Sequence, residues 1–269
     1  MYTKDDIVRQ LKEMNAPQNS VVLMHSSMRS VGDIDGGIQG LLDVMIDYFT
    51  AKDGLFCVPT HTWRNLGKDK YTLDMTACES DVGAFSLVAL NDKRGVRSEN
   101  PTHSMVVFGD RNKAEDFVRD EAYITSPTPR EGCHGKLYDR KGYVLLVGVG
   151  QERNTYLHCV GEMLNLPNRM LADGKRKTTV RKADGSVVER ILDWYDQKTL
   201  GDISTRFPKY DVAFRYHGCV TDGFIGNAPT QLCDAFLMKE TVEYIFKNSD
   251  GADPLANERP IPPKWYCNK

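Results

Sequence analysis

Two short β-branched runs bracket one helical stretch, and that arrangement restricts the fold more than any other feature of the chain. Residues 20–25, S-V-V-L-M-H, and 55–59, L-F-C-V-P, have the composition of buried strands. Between them a loop of small residues, S-S-M-R-S-V-G-D-I-D-G-G, leads into Ile38, Leu41, Leu42, Met45, Ile46 and Phe49 at helical spacing. Strand, helix and strand in that order make a βαβ unit, which sets the two strands parallel. Strands of a parallel sheet are buried on both faces, so they read as continuous apolar runs. The most hydrophobic such run, Y-V-L-L-V-G-V-G at 143–150, predicts a further central strand.

The other segments fill in an α/β pattern. Residues 3–14 form an amphipathic helix with Thr3 as N-cap and Asp6 three places on. An apolar helix is expected near 83–90, a strand at 104–109 and a helix at 111–121. The stretch 123–135 holds too many proline and glycine breakers for a regular element and reads as a loop. The basic, alternating segment 175–190 reads as a β-hairpin turning at Asp184–Gly185. Near the end, Pro229 sits where a helix is expected to start, with an apolar stripe through Leu232, Phe236 and Ile245. The expected fold is a single-domain α/β/α sandwich over 1–269. It has a mixed, largely parallel central sheet, long active-site loops and an extra β-hairpin.

Charge and cysteine usage narrow the function. A formal net charge of −2 carries no sign of a nucleic-acid face. Seven widely spaced cysteines without a C-x-x-C argue against a disulfide framework and a thiolate zinc site. Reduced thiols fit a cytoplasmic protein. The N-terminus lacks the apolar core of a signal peptide, and no stretch approaches the length of a membrane span.

Three polar clusters stand beside the strands. H-S-S-M-R-S-V-G (25–32) lies where a strand gives way to a helix, a geometry that suits an anion such as a pyrophosphate. It lacks both the P-loop and the dinucleotide fingerprint, and a plain polar turn is the alternative. N-P-T-H-S (100–104) sets His103 just before a strand, as a turn residue or a ligand contact. N-T-Y-L-H-C-V-G-E (154–162) follows the central strand. In a helix His158 and Glu162 share a face at i, i+4, the arrangement of a carboxylate-supported general base or of a surface pair. Ligands of open α/β sheets bind beyond the carboxyl ends of the strands, where the first and third clusters both lie.

The ordered set V-V-L-M-H-S-S-M-R-S-V-G, G-L-F-C-V-P-T-H-T, R-S-E-N-P-T-H-S, L-L-V-G-V-G-Q-E-R-N-T-Y-L-H-C-V-G-E and a weaker G-F-I-G-N-A resembles the aminoglycoside 3-N-acetyltransferases from about residue 20 to 246. The resemblance implies acetyl-CoA as cofactor and direct transfer in a ternary complex to the 3-amino group of a 2-deoxystreptamine aminoglycoside. A metabolite amine is the alternative acceptor, and a metal-dependent hydrolase a more distant one. By the same resemblance His158 is the general base. Glu162 orients it or binds a substrate amine, and Thr155 is a candidate oxyanion donor. Ser26, Ser27, Met28, Arg29, Val31, Gly32, Pro101, His103 and Ser104 are expected at the cofactor, and Asn154, Glu162 and His61 at the substrate. No metal, nucleic acid or membrane partner is implied, and the chain is expected to be a monomer or homodimer. Cys159, beside His158, is expected to be structural.

Overall fold

Three parallel strands form the centre of a seven-stranded sheet in the computed structural model of the chain, which describes residues 1–267. They are β1 (Val21–Ser26), β2 (Leu55–Pro59) and, after β3 (Leu73–Asp74), β4 (Val96–Arg97) and β5 (Met105–Phe108), the strand β6 (Tyr143–Val147). β7 (Met170–Arg181) and β8 (Val187–Tyr195) form a hairpin, followed by β9 (Val220–Ile225) and β10 (Ala228–Asp234). The order in the large sheet is β4-β5-β2-β1-β6-β10-β9. β1 pairs parallel with both β2 and β6, as the βαβ pattern predicts. The flanking pairs β2–β5, β4–β5, β6–β10 and β9–β10 are antiparallel.

Side chains alternate across this sheet into two cores. From β1, Val21 and Leu23 pack on one side and Val22 and Met24 on the other. The second side is covered by α1 (Lys4–Glu13), α3 (Gly37–Thr50) and α4 (Ala84–Asn91), with the one-turn α2 (Met28–Val31) at the end of β1. The first side carries α5 (Arg111–Val118), α6 (Cys133–Asp139), α7 (Tyr156–Met163), α8 (Asp211–Tyr216) and α9 (Ala235–Asn248). Helices on both faces make the expected sandwich. Thr3 and Asp6 close the predicted capping box on α1. The basic hairpin turns through Gly185 at φ +84° and joins β3 in a separate three-stranded sheet, β3-β7-β8.

Two expectations are corrected. The stretch 123–135 is not all loop, because α6 begins inside it at Cys133. The Cys133 N–H is capped by the buried carboxylate of Glu121 at 2.6 Å, a partner twelve residues away. Gly135 is required there, since a Cβ would lie 1.9 Å from the Arg130 carbonyl oxygen. Pro229 starts no helix either. It lies in β10, between β6 and β9, and its carbonyl accepts from the Gly148 N–H at 2.8 Å. The helix begins only at Ala235, with Asp234 accepting from the Leu237 N–H. β9, α8 and the 3₁₀ segment Ile203–Tyr210 were not legible in the sequence.

Candidate active site

Because β1, β2 and β6 run parallel, their carboxyl ends open on one edge, and a cleft of about 990 Å³ lies there. Register pairs Ser26 with Val147, so the turns leaving β1 and β6 emerge side by side. β1 delivers His25, Ser26 and Ser27 to the lining, and the chain after β2 delivers His61 and Arg64. The segment after β6 delivers Asn154, Thr155 and His158, and the hairpin delivers Arg176, Trp194 and Tyr195. The two polar segments that the sequence sets past strand ends therefore meet in one space.

His158 lies in the first turn of α7, and its ring is clamped. Tyr195 stacks on it at 4.8 Å and 29°, and the edge of Phe207 meets it at 4.9 Å and 73°. The helix itself is pinned by Tyr156, whose buried hydroxyl donates to the Ala235 carbonyl at 2.8 Å. Burial pushes the His158 imidazole down to about 4, with Asp202 opposing the shift and Arg169 adding to it. The ring is thus neutral at physiological pH and able to accept a proton. An imidazolium formed there faces the tyrosine ring, whose π cloud favours the charge.

The expected hydrogen bond between Glu162 and His158 is absent. The Glu162 carboxylate is held instead by the Ser126 hydroxyl, the Thr128 N–H at 3.0 Å and the Thr128 hydroxyl at 2.6 Å. Nor does it belong to the lining of the cleft. Three donors from the 126–128 loop satisfy the oxygens that an imidazole or ammonium was to meet. Burial raises the Glu162 carboxyl, opposed by those same donors. Glu162 acts one layer back: the Thr128 hydroxyl also bonds the Tyr195 hydroxyl at 2.8 Å, and Tyr195 supports His158.

Tyr195 was missed in the sequence, where it stands past the basic hairpin without a motif of its own. Its ring holds the His158 imidazole and its hydroxyl bonds Thr128, and the two parts separate by mutation. Tyr195→Phe keeps the stack and loses the hydroxyl's bonds to Thr128 and Glu162, so kcat stays within about threefold. Tyr195→Ala frees the imidazole and lowers kcat roughly 10- to 100-fold, the scale expected of a catalytic group displaced by about 1 Å. Steady-state rates on the two variants check this, and equal losses would assign the role to the hydroxyl.

Five of the six histidines gather around this edge. His25, His61, His103 and His158 line the cleft, and His134 packs behind His61 with ring centroids 6.3 Å apart. His61 and His103 lie 4.8 Å apart. Burial is the first cause that lowers all five: His25 to about 4, His134 to about 3, and His61 and His103 well below the usual range. Among the described residues the His134 ring nitrogens and the Nε2 atoms of His25 and His61 find no hydrogen-bond partner. His134 escaped notice because E-G-C-H-G reads as a turn. Among the described residues no group of three or more His, Cys, Asp or Glu is arranged to hold a metal ion.

A model of the aminoglycoside 3-N-acetyltransferase family matches residues 23–247. The chain belongs to this family. It is therefore an acyltransferase by descent. The aminoglycoside N(3′)-acetyltransferase-like protein YokD, from the SPbeta prophage of Bacillus subtilis (strain 168), is 22% identical over 265 residues, 91% of each chain. Aminoglycoside N(3)-acetyltransferase IV from Salmonella sp. is 26% identical over 180 residues, 65% of this chain and 66% of that protein. Among solved structures, a histidine-to-alanine variant of AAC(3)-IVa in complex with a gentamicin superposes with a TM-score of 0.77. It is 23% identical, over 98% of this chain and 93% of the other. AAC-IIIb in a binary complex with CoASH gives 0.78 at 18% identity, over 94% and 98%. Identities this low show a common acetyltransferase fold.

Within that fold the residues expected at the cofactor divide. Ser26 and Ser27 line the cleft, and His103 does so with its Nδ1 bonded to the Thr102 hydroxyl at 2.9 Å. Met28 packs partly against the core, and Arg29 is exposed outside the lining. Val31 lies outside the lining, with its side chain buried in the core and its carbonyl accepting from the Asn227 N–H at 2.9 Å. Gly32 is also outside the lining. Its φ of +80° and an Asn227 amide 2.6 Å from any Cβ explain the glycine. Pro101 and Ser104 lie outside the lining and are buried. The Pro101 carbonyl accepts from the Thr62 hydroxyl at 3.2 Å, and the Ser104 hydroxyl donates to the Thr60 carbonyl at 2.8 Å. Cys159 is buried away from the cleft, and burial drives its thiol well above the usual range, as befits a structural cysteine.

Proposed function

We propose that the protein transfers an acetyl group from acetyl-CoA to an amine bound in this cleft, directly and within a ternary complex, with His158 as general base. The observation that carries the reading is that the clamped, neutral His158 imidazole lines the same cleft as the Ser26–Ser27 turn. Acetyl-CoA is the acyl donor, and the residues present suit it. Ser26 and Ser27 offer hydroxyls at the end of β1. Gly148, at φ +64° with Ser30 2.5 Å from any Cβ, keeps the adjoining β6 turn bare of a side chain. The exposed Arg153 guanidinium suits phosphate oxygens. The buried Asn154 Oδ1 lacks a donor among the described residues, while its Nδ2 is bonded to Gln151, so it can take an N–H from a ligand.

His158 removes the proton from the acceptor ammonium, leaving a lone pair to attack the thioester carbonyl. As the C–S bond breaks, His158 returns that proton to the departing sulfur, and the attacking nitrogen, which carries one proton too many for an amide, releases it to water. In this reading the Thr155 hydroxyl, which lines the cleft and makes no cap bond to its own helix, donates to the developing oxyanion. Much of the acceleration comes from holding amine and thioester together. The family points to the 3-amino group of an aminoglycoside as acceptor, in a cytoplasmic setting. A different amine is the second reading, favoured by the charges of the cleft. Initial rates with both substrates varied test the mechanism: intersecting double-reciprocal lines are expected, and parallel lines would show an acyl-enzyme instead.

A further inference from the structure

The cleft lining holds as many fixed cations as anions, and the two kinds are not equally free. Its charged residues besides histidine are Arg64, Arg153 and Arg176 against Asp81, Glu152 and Asp202. Each carboxylate is already engaged by backbone donors. Asp81 accepts from the Arg64 N–H at 2.8 Å and Glu152 from the Gly150 N–H at 3.0 Å. Asp202 accepts from the Ser204 N–H at 3.0 Å and its hydroxyl at 2.7 Å. None of the three guanidiniums has a carboxylate partner among the described residues. Arg64 lies 5.1 Å over the Trp63 ring, and Arg176 donates only to the Lys175 carbonyl.

The arginines also sit on different elements. Arg153 follows β6, and its charge acts on His25 of β1, so it belongs with the serine turn. Arg64 comes from the turn after β2 and Arg176 from the β7 hairpin strand, which leaves both for the acceptor. Glu162, the carboxylate expected to grip a substrate ammonium, is bound to Ser126 and Thr128 instead. Asp81, Glu152 and Asp202 keep their charge, but ammonium groups set against the Arg64 and Arg176 guanidiniums meet a repulsion, and repulsion of this kind selects between ligands as contacts do.

We infer that the acceptor amine also carries an anionic group, a phosphate or a carboxylate, which Arg64 and Arg176 hold while the amine faces His158. The inference rests on the proposed acetyl transfer at His158. Guanidinium forks match either oxyanion.

The test is thiol release from acetyl-CoA with phosphoethanolamine, β-alanine, ethanolamine and gentamicin as acceptors. The wild-type enzyme is compared with the Arg64→Glu/Arg176→Glu and Arg64→Gln/Arg176→Gln double variants. The expected result is a kcat/KM at least about tenfold higher for an anionic amine than for ethanolamine. The Gln pair flattens that preference, and the Glu pair inverts it in favour of gentamicin. Whether phosphoethanolamine or β-alanine leads identifies the anion. Wild-type preference for gentamicin over both anionic amines discards the inference and keeps acetyl transfer. An anionic preference untouched by both double variants overturns the assignment to these arginines. Absence of thiol release with every amine discards acetyl transfer and the inference together.

Discussion

Replacing His158 by alanine lowers kcat about 10²- to 10⁴-fold and leaves acetyl-CoA binding intact. The imidazole is the neutral, clamped ring proposed as the base, whereas the serine turn belongs to β1 and does not depend on it. Titration calorimetry with acetyl-CoA and rates of thiol release read the two effects separately. The pH profile adds an independent mark. A protonated imidazole cannot accept a proton, so activity is lost as pH falls through the pKa of the ring. Burial sets that pKa at about 4, and the acid limb of kcat/KM therefore lies near pH 4 instead of near the ordinary imidazole value of about 6.5. The His158→Ala variant lacks this limb. Near-normal turnover in it would remove His158 from the mechanism.

The largest loss of stability is expected from Asp253→Ala. Arg169 and Asp253 form a bidentate pair at 2.7 and 3.0 Å with side chains only 4% and 3% exposed. Arg169 also donates to the Pro167 carbonyl at 2.9 Å, and its stem lies over Gly161 of α7, 3.2 Å from any Cβ placed there. The pair thus ties the chain after α9 to the helix that carries His158. Removing one partner leaves a buried, unpaired guanidinium and costs about 3–5 kcal/mol. For a chain of this size that lowers Tm by roughly 6–20 °C. Burial alone would raise the Asp253 carboxyl, but the hydrogen bonds and charge of Arg169 outweigh it and hold it low. The contribution is therefore present above the unfolded carboxylate pKa and lost as pH falls through the folded one. Urea unfolding at neutral pH measures the cost. A change below about 1 kcal/mol would show that Arg169 finds other partners. The double replacement Arg169→Met/Asp253→Leu is expected to recover most of the loss, because no charge remains buried.

How far the sequence carried depends on whether a residue's role rests on neighbours along the chain. The capping box of α1, the stripe of α3 and the Asp184–Gly185 turn involve residues within one or two turns of each other, and all are present. α6 was hidden because the group that caps it, Glu121, is a buried carboxylate brought in from the end of the preceding helix. The Pro229 stretch misled because an antiparallel strand flanked on both sides shows the same apolar residues as a helix start.

The site divides along the same line. Sequence alone determined that the parallel strands end in serine, asparagine, threonine and histidine, and so that Ser26, Ser27, Asn154, Thr155 and His158 share one edge. Strand periodicity and the βαβ connection are local, and parallel strands must finish on the same side. Only the tertiary structure decided what each polar group meets. It gave Glu162 to Ser126 and Thr128, set Tyr195 against His158, and brought Arg64 and Arg176 into the lining of the cleft. Those partners come from distant loops and from the hairpin. Which hydrogen bond or ring contact a side chain makes is settled by three-dimensional proximity, and no local spacing records it.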